Sequence, residues 1–437
     1  MSYASLISKF VSSSGRTQRR REQLKSAMRQ GWEKESVRLA ERGVRSAIGG
    51  DWFACRLAEI RLDLGDHAYV RKLAEGEGSL LKTQDGQGLL ARALIMAGEF
   101  EAAEALILQL ILKVQSPEPL RLLRMLPASE SLLDKACAAF QRSERTPYRK
   151  AIQASHLVEV AVAAGVPERG FELTSQSLRW LDGAKPERVT YSESDRTDEL
   201  DKALLDFHQL MEGVGEFFLI SGTLLGVMRE NKLLSYDKDI DVGVLEPSVI
   251  GRLREAVGSS FAFSPDISTN IDGLKVKHRN GVVIDVFIHH VEGDVVWHGG
   301  PAHAWENSKW WSDDATRYGR TTYRGREFLI PSAWEVYLTE NYGDWKSPQK
   351  RYNASLQAPN RRIRDATLAK LYSRQNFVKW HHRADFDMLI GVMSLYESEY
   401  GADDFLLGAR RVMLGDAVAE AHPIAALDRR PRLAADT

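Results

Sequence analysis

Two aspartates in alternation, Asp239 and Asp241 in the run YDKDIDVGVL, constrain this chain more than any other feature. Successive strand side chains point to opposite faces, so residues two apart share one face. Two carboxylates side by side on a sheet repel each other unless a cation lies between them. Just upstream, FFLIS (217–221) reads as a buried strand. The Gly222-Thr223 turn and a short helix, LLGVMRE, follow it. A divalent cation beside a glycine turn and a helix N-terminus implies a phosphate ligand, and with it an enzyme.

A chain of 437 residues exceeds one ordinary core, so two or three domains are expected. A formal net charge of −1 argues against a dedicated nucleic-acid binder, which carries a strong basic excess. Cys55 and Cys137 are the only cysteines, a usage that points to a reducing compartment. The longest apolar run, ALILQLILKV, falls far short of the roughly 20 residues that cross a bilayer. With no leader pattern at the start, a cytoplasmic protein is expected. Residues 1–50 nevertheless hold eleven Lys and Arg against four acids. Ahead of that basic cluster, Leu6, Ile7, Phe10 and Val11 share a helical face. The pattern reads as a frayed terminus or as a peripheral contact with an anionic inner-membrane face.

The N-terminal part is helical and repeats a unit of an apolar helix, a glycine stop and an Ala-rich second helix. Copies start at Cys55, Leu89 and Leu157, with stops at Gly65, Gly98 and Gly165. Separations of 33 and 67 fit a period of 33–34, with a degenerate turn at Pro127-Ala128-Ser129, and this is the tetratricopeptide spacing. The expected organisation is a basic segment (1–34), a short α-solenoid (35–182) and a catalytic domain (197–421). A disordered tail (422–437) would end the chain. LDGAKPERVTYSESDRT (181–197) is the linker. An amphipathic helix follows with Leu200, Leu204, Phe207 and Met211 on one side, and residues 273–290 read as a hairpin turning at Asn280-Gly281. The fold class is α+β, a helical repeat followed by a mixed sheet and C-terminal helices. The repeats would bind a protein partner or position a catalytic neighbour.

Phosphoryl or nucleotidyl transfer needs neutralised phosphate oxygens and aligned reacting atoms, and a hard cation held by a few carboxylates provides both. Asp239 and Asp241 give the pair, and Asp285 in VVIDVFI is the expected third ligand, because a charge inside an apolar strand needs a partner. Asp237 extends the cluster if the strand starts early. At the other end Ser221, Gly222 and Thr223 would cradle phosphate, with Arg229 as an anion clamp.

These elements together resemble the LicD/fukutin family. The resemblance rests on Gly222-Thr223-Leu224-Leu225-Gly226, then Arg229, then Tyr236-Asp237-Lys238-Asp239-Ile240-Asp241. It continues in Asp285-Val286-Phe287 and in the stretch from Pro331 to Tyr342-Gly343-Asp344-Trp345. It covers about residues 197–360 and departs from the family at Ser235 and Lys238. It implies a nucleotidyltransferase fold that uses Mg²⁺ (or Mn²⁺). The implied reaction moves phosphocholine, ribitol phosphate or glycerol phosphate from a CDP-linked donor to a glycan acceptor in cell-surface polysaccharide synthesis. Asp239 and Asp241 would then hold the ion against the diphosphate. Asp285 would bind a second ion or take the acceptor's proton, and Arg229 would stabilise developing charge. Two other readings are a nucleotidyltransferase adding NMP to a small molecule or protein, and a nucleotide-binding adaptor without turnover.

His289, His290, His298 and His303 invite a zinc reading, but no cysteine joins them, and His289 and His290 point apart on a continuing strand. Trp297, Trp305, Trp310 and Trp311 suit either sugar stacking or core packing.

Overall fold

The computed structural model describes residues 17–45, 50–75, 83–182, 195–235, 237, 239–266, 272–349, 352–383 and 385–414. The N-terminal segment read as a frayed end or a membrane contact, the tail at 422–437, most of the linker, Tyr236 and Lys238 lie outside them. The fold is α+β, with helices first, then a mixed sheet, then helices.

Three glycine stops close helices in the same way. Gly65, Gly98 and Gly165 take φ values of +80°, +76° and +75°. In each case the next residue's N–H reaches back to a carbonyl five positions earlier: Asp66 to Arg61, Glu99 to Leu94 and Val166 to Ala161, at 2.8–3.0 Å. This is the double-bonded helix end that a left-handed residue permits. The stops join the helices Gly50–Asp63 and His67–Glu75, Gln84–Met96 and Phe100–Lys113, and Ser155–Ala163 and Pro167–Leu181. At the degenerate turn, Ser129 caps the helix Glu130–Arg142 by accepting the Leu132 N–H at 3.1 Å.

The chain divides into two compact units. One is built from residues 1–110, 193–300 and 305–350, the other from 111–192, 301–304 and 351–437. The helical stretch 35–182 is therefore shared between units at 110/111, and the C-terminal helices fall in the second.

The strands are β1 (Phe218–Leu219), β2 (Asp239–Val244), β3 (Phe263–Asp266), β4 (Gly273–His278), β5 (Val283–Ile288) and β6 (His290–Glu292). They continue as β7 (Val295–Gly299), β8 (His303–Ser308), β9 (Tyr318–Tyr323), β10 (Arg326–Pro331) and β11 (Arg361–Ile363). In the first unit a seven-stranded sheet runs β3-β4-β5-β2-β1-β10-β9. It is mixed: β2 is parallel to β5 and β1 to β10, whereas β4 is antiparallel to β5 and β1 to β2. Alternation sorts β2 cleanly. Ile240, Val242 and Val244 are fully buried on one face, while Asp239, Asp241 and Gly243 take the other. The expected helix forms as Thr197–Met211, with Leu200, Leu204, Phe207 and Met211 buried in the sheet's core. Each such side chain contributes about 1.5–3 kcal/mol.

Within this unit the early helices share a core with the sheet. Phe261, on the approach to β3, packs with Leu24, Ala40, Phe53, Leu57 and Ile60. Arg279, just past β4, lies 3.9 Å from the Phe261 ring and donates to the Phe261 carbonyl. It also pairs with Asp63 at 2.6 Å, and Asp63 accepts from Arg92 at 3.0 Å. Arg279 and Asp63 are 9% and 8% exposed, so removing Asp63 strands the desolvated Arg279 guanidinium.

The second unit has its own core of Tyr148, Leu178 and Leu181 with Phe377, Leu389, Met393, Tyr396 and Phe405. Arg374 is held there by Asp403 at 2.8 Å and Tyr396 at 3.0 Å.

Asp63→Ala is expected to destabilise the first unit by about 3 kcal/mol, the usual cost of breaking a buried pair. Amide exchange in the Gly50–Asp63 helix should quicken; unchanged protection would show that the pair carries no weight.

Candidate active site

β1 ends after two residues and the backbone turns directly into the helix Ser221–Glu230. Sequence reasoning placed Gly222 and Thr223 in a turn ahead of this helix; they occupy its first turn instead. The break falls on Ser221, whose φ of +48° is a left-handed value that costs a non-glycine residue about 1–2 kcal/mol. Thr223 is 3% exposed, and its hydroxyl accepts the Asp241 N–H at 2.9 Å. That bond continues the β1–β2 ladder past the last strand pair, Leu219 with Val242. The residue expected to cradle phosphate therefore also fixes the backbone of Asp241.

Gly222 makes a close approach of a different kind. A Cβ there would lie 2.6 Å from Asp237 Oδ2. The Asp237 carboxylate thus packs directly on the first turn of the helix, where the N-terminal dipole favours an anion.

Asp241 stands in register with Asp285 on parallel β2 and β5, two residues beyond the pairing of Asp239 with Val283. Neighbouring strands are about 4.8 Å apart, so the two carboxylates are side by side. Asp241's carboxyl is held well above the ordinary carboxylate range. Burial is the main cause, followed by the charges of Asp239, Asp285 and Asp237, and Lys275 partly offsets them. Asp285 is 5% exposed and ion-paired with Lys275, its register partner on β4.

All four predicted carboxylates therefore act on one locus. Among the described residues, no three His, Cys, Asp or Glu side chains form a ready-made metal cage. Mg²⁺ commonly takes only one or two carboxylates and fills its shell with substrate oxygens.

Arg229 lies about 12 Å of helical rise beyond Ser221. Its guanidinium donates to the Trp345 carbonyl at 3.2 Å and to Glu230 at 2.8 Å. It thereby ties the site helix to the Tyr342-Gly343-Asp344-Trp345 segment, where Trp345 packs edge-on against Trp334.

Two site residues escaped sequence reasoning. Lys275 is one. Tyr337, from the helix Trp334–Tyr342, is the other; it is 1% exposed and lies against Ser221. Burial pushes its phenol's pKa up, Ser221 opposes the shift and the Asp241 charge adds to it.

His289 and His298 are core elements. They stack with centroids 4.4 Å apart, and burial pushes both down, His298 to about 3. His290 turns the other way, pairs with Asp272 at 2.6 Å and stacks on Trp297. Trp310 is buried and donates to the Arg317 carbonyl.

The family model described as LicD/FKTN/FKRP, nucleotidyltransferase domain, matches residues 214–332. That segment is a LicD-family domain. The match takes in β1, the site helix, β2 and β5, and so all four carboxylates. The ribitol-5-phosphate transferase FKTN of Mus musculus is 28% identical over 155 residues, and its Homo sapiens counterpart is 27% identical over 154. Each alignment covers 33% of this chain and 32% of the relative. The chain thus spans about a third of the length of the curated relatives it matches. Among the described residues, no helix is long and apolar enough to cross a membrane.

Gly222→Ala should displace Asp237 from the first turn of the LicD-type domain's helix, at a stability cost of about 1–3 kcal/mol for overpacking. Ser221→Gly should instead raise stability by about 1 kcal/mol through relief of the left-handed strain. Denaturant unfolding of both variants checks this; a destabilised Ser221→Gly protein would show that the serine side chain outweighs its backbone cost.

Proposed function

We propose that this chain transfers a phosphorylated alcohol from a CDP-linked donor to a glycan hydroxyl, with a divalent cation in attendance. The carrying observation is the register of Asp241 beside Asp285, with Asp239 two positions along the same strand face. The family match and relatives described as ribitol-5-phosphate transferases support a phosphoalcohol as the transferred group, with ribitol phosphate the first to test. The wider setting we propose is cell-surface polysaccharide synthesis at the cytoplasmic face. The helical region would recruit the acceptor or a protein partner, and the basic N-terminus would meet the membrane surface.

The donor set fits Mg²⁺ or Mn²⁺. It consists of carboxylates, two of them in register, around a half-buried Asp241 surrounded by negative charge. Asp239, Asp241 and Asp285 would hold the ion, which neutralises phosphate oxygens and orients the diphosphate. The chain's own groups do the rest. Thr223 locks the backbone of Asp241, and Gly222 keeps the helix N-terminus open to Asp237 and to an incoming anion. Arg229 fixes the helix through Trp345. In the transfer the acceptor oxygen bonds to the phosphorus of the phosphoalcohol, and the bond to CMP breaks. CMP leaves with that electron pair, and the acceptor's proton passes to solvent or a site carboxylate.

Incubation with CDP-ribitol, CDP-glycerol or CDP-choline, a divalent cation and glycan acceptors is expected to release CMP. Pyrophosphate release from CTP or ATP would instead favour nucleotidylation, and binding without product would favour the adaptor. Asp241→Asn should lower turnover on the order of 10²–10³-fold while leaving unfolding unchanged or improved, since a desolvated charge is lost. Retained turnover would remove Asp241 from the reaction. Chelation should stop CMP release, and added Mg²⁺ should restore it.

A further inference from the structure

The ion pair between Lys275 and Asp285 is not used by the transfer reading. The two residues face each other in register across β4 and β5, on the sheet face that carries Asp239 and Asp241. Their side chains are 16% and 8% exposed, so the ammonium has left most of its water to sit among carboxylates. A purely structural ion pair would be indifferent to what else binds there. This one shares an oxygen-rich locus with the residues proposed to hold a divalent ion, and one carboxylate cannot fully serve both cations. Lysine suits an exchange. Its charge is compact, its stem is flexible, and its three donors can be redirected without moving the backbone.

We propose that Lys275 is an internal counter-ion that holds Asp285 before the divalent cation arrives, yields that carboxylate to it, and then donates to the phosphate oxygens of the donor. The proposal rests on the metal-dependent reading of the site. It makes Lys275 a donor-binding residue, and it leaves Asp285 with a cationic partner both before and after the ion binds. Two carboxylates in register at strand spacing would otherwise repel without compensation.

The test measures Mn²⁺ affinity of the full chain without donor, by titration calorimetry or by the loss of the free-ion resonance signal. Lys275→Met and Lys275→Gln are compared with Lys275→Arg. The two neutral variants should bind Mn²⁺ at least about tenfold more tightly, because a unit positive charge near the ion is gone. The arginine variant should bind no more tightly than the wild type. KM for the CDP-linked donor should rise about tenfold in the neutral variants, as expected for a lost charge-assisted contact. In the unmodified chain, Mn²⁺ should increase acylation of the Lys275 amine, read by mass spectrometry, and this does not depend on any variant folding. If wild-type protein binds Mn²⁺ and releases CMP while affinity in the neutral variants and amine reactivity stay unchanged, Lys275 is a fixed strut and the proposal fails alone. If wild-type protein binds no Mn²⁺, the proposal falls together with the metal-dependent reading.

Discussion

The site depends on two like charges placed opposite each other. Asp241 and Asp285 are neighbours on parallel strands, the first half-buried and the second buried, and Asp239 and Asp237 flank them. Such an arrangement is unfavourable unless a cation compensates it, and β4 supplies one in Lys275. The surrounding architecture keeps the carboxylates from separating. Ile240, Val242 and Val244 of β2 and Ile284 and Val286 of β5 are fully buried, Thr223 holds the Asp241 amide, and the site helix begins where β1 stops. A repulsive cluster built into a rigid sheet is poised for a cationic ligand, because little of the binding energy is needed to gather the charges.

Much of this was legible in the sequence because strand alternation is strict. The spacing of Asp239 and Asp241 fixes their common face, and an aspartate inside VVIDVFI demands a charged neighbour. What remained illegible depended on register and on backbone detail. The hairpin was read as turning at Asn280-Gly281. Its loop is three residues, closed by His278 and Val282, with Gly281 in the left-handed position. A two-residue loop would have set Val276 opposite Asp285; the extra residue brings Lys275 there instead. One residue of loop length therefore decides whether the buried carboxylate meets a methyl group or an ammonium. Similarly, nothing in the string SGT indicates that Ser221 adopts a positive φ, which moves the helix start one residue ahead of Gly222. Tyr337 reaches the site from a helix more than a hundred residues away, a distance over which local patterns carry no information.

The glycine stops of the helical region show the opposite case. Their chemistry is local, so the sequence identifies them directly, and all three adopt the same helix-ending geometry. Where the helices join their neighbours is a tertiary matter. Compactness assigns those up to residue 110 with the sheet and those from 111 with the C-terminal helices, a partition that periodicity alone does not contain.

The packing of Phe261 and Arg279 into the early helices has a practical consequence for anyone seeking a minimal fragment that carries the site. A fragment starting near Thr197 would bare an aromatic ring and a guanidinium that normally lie under helical cover, and it would invite aggregation through that wound. The seam lies on the loop and strand end that frame β4, so such a fragment would also loosen the strand that carries the lysine. The smallest sound piece of this unit begins upstream of Leu24.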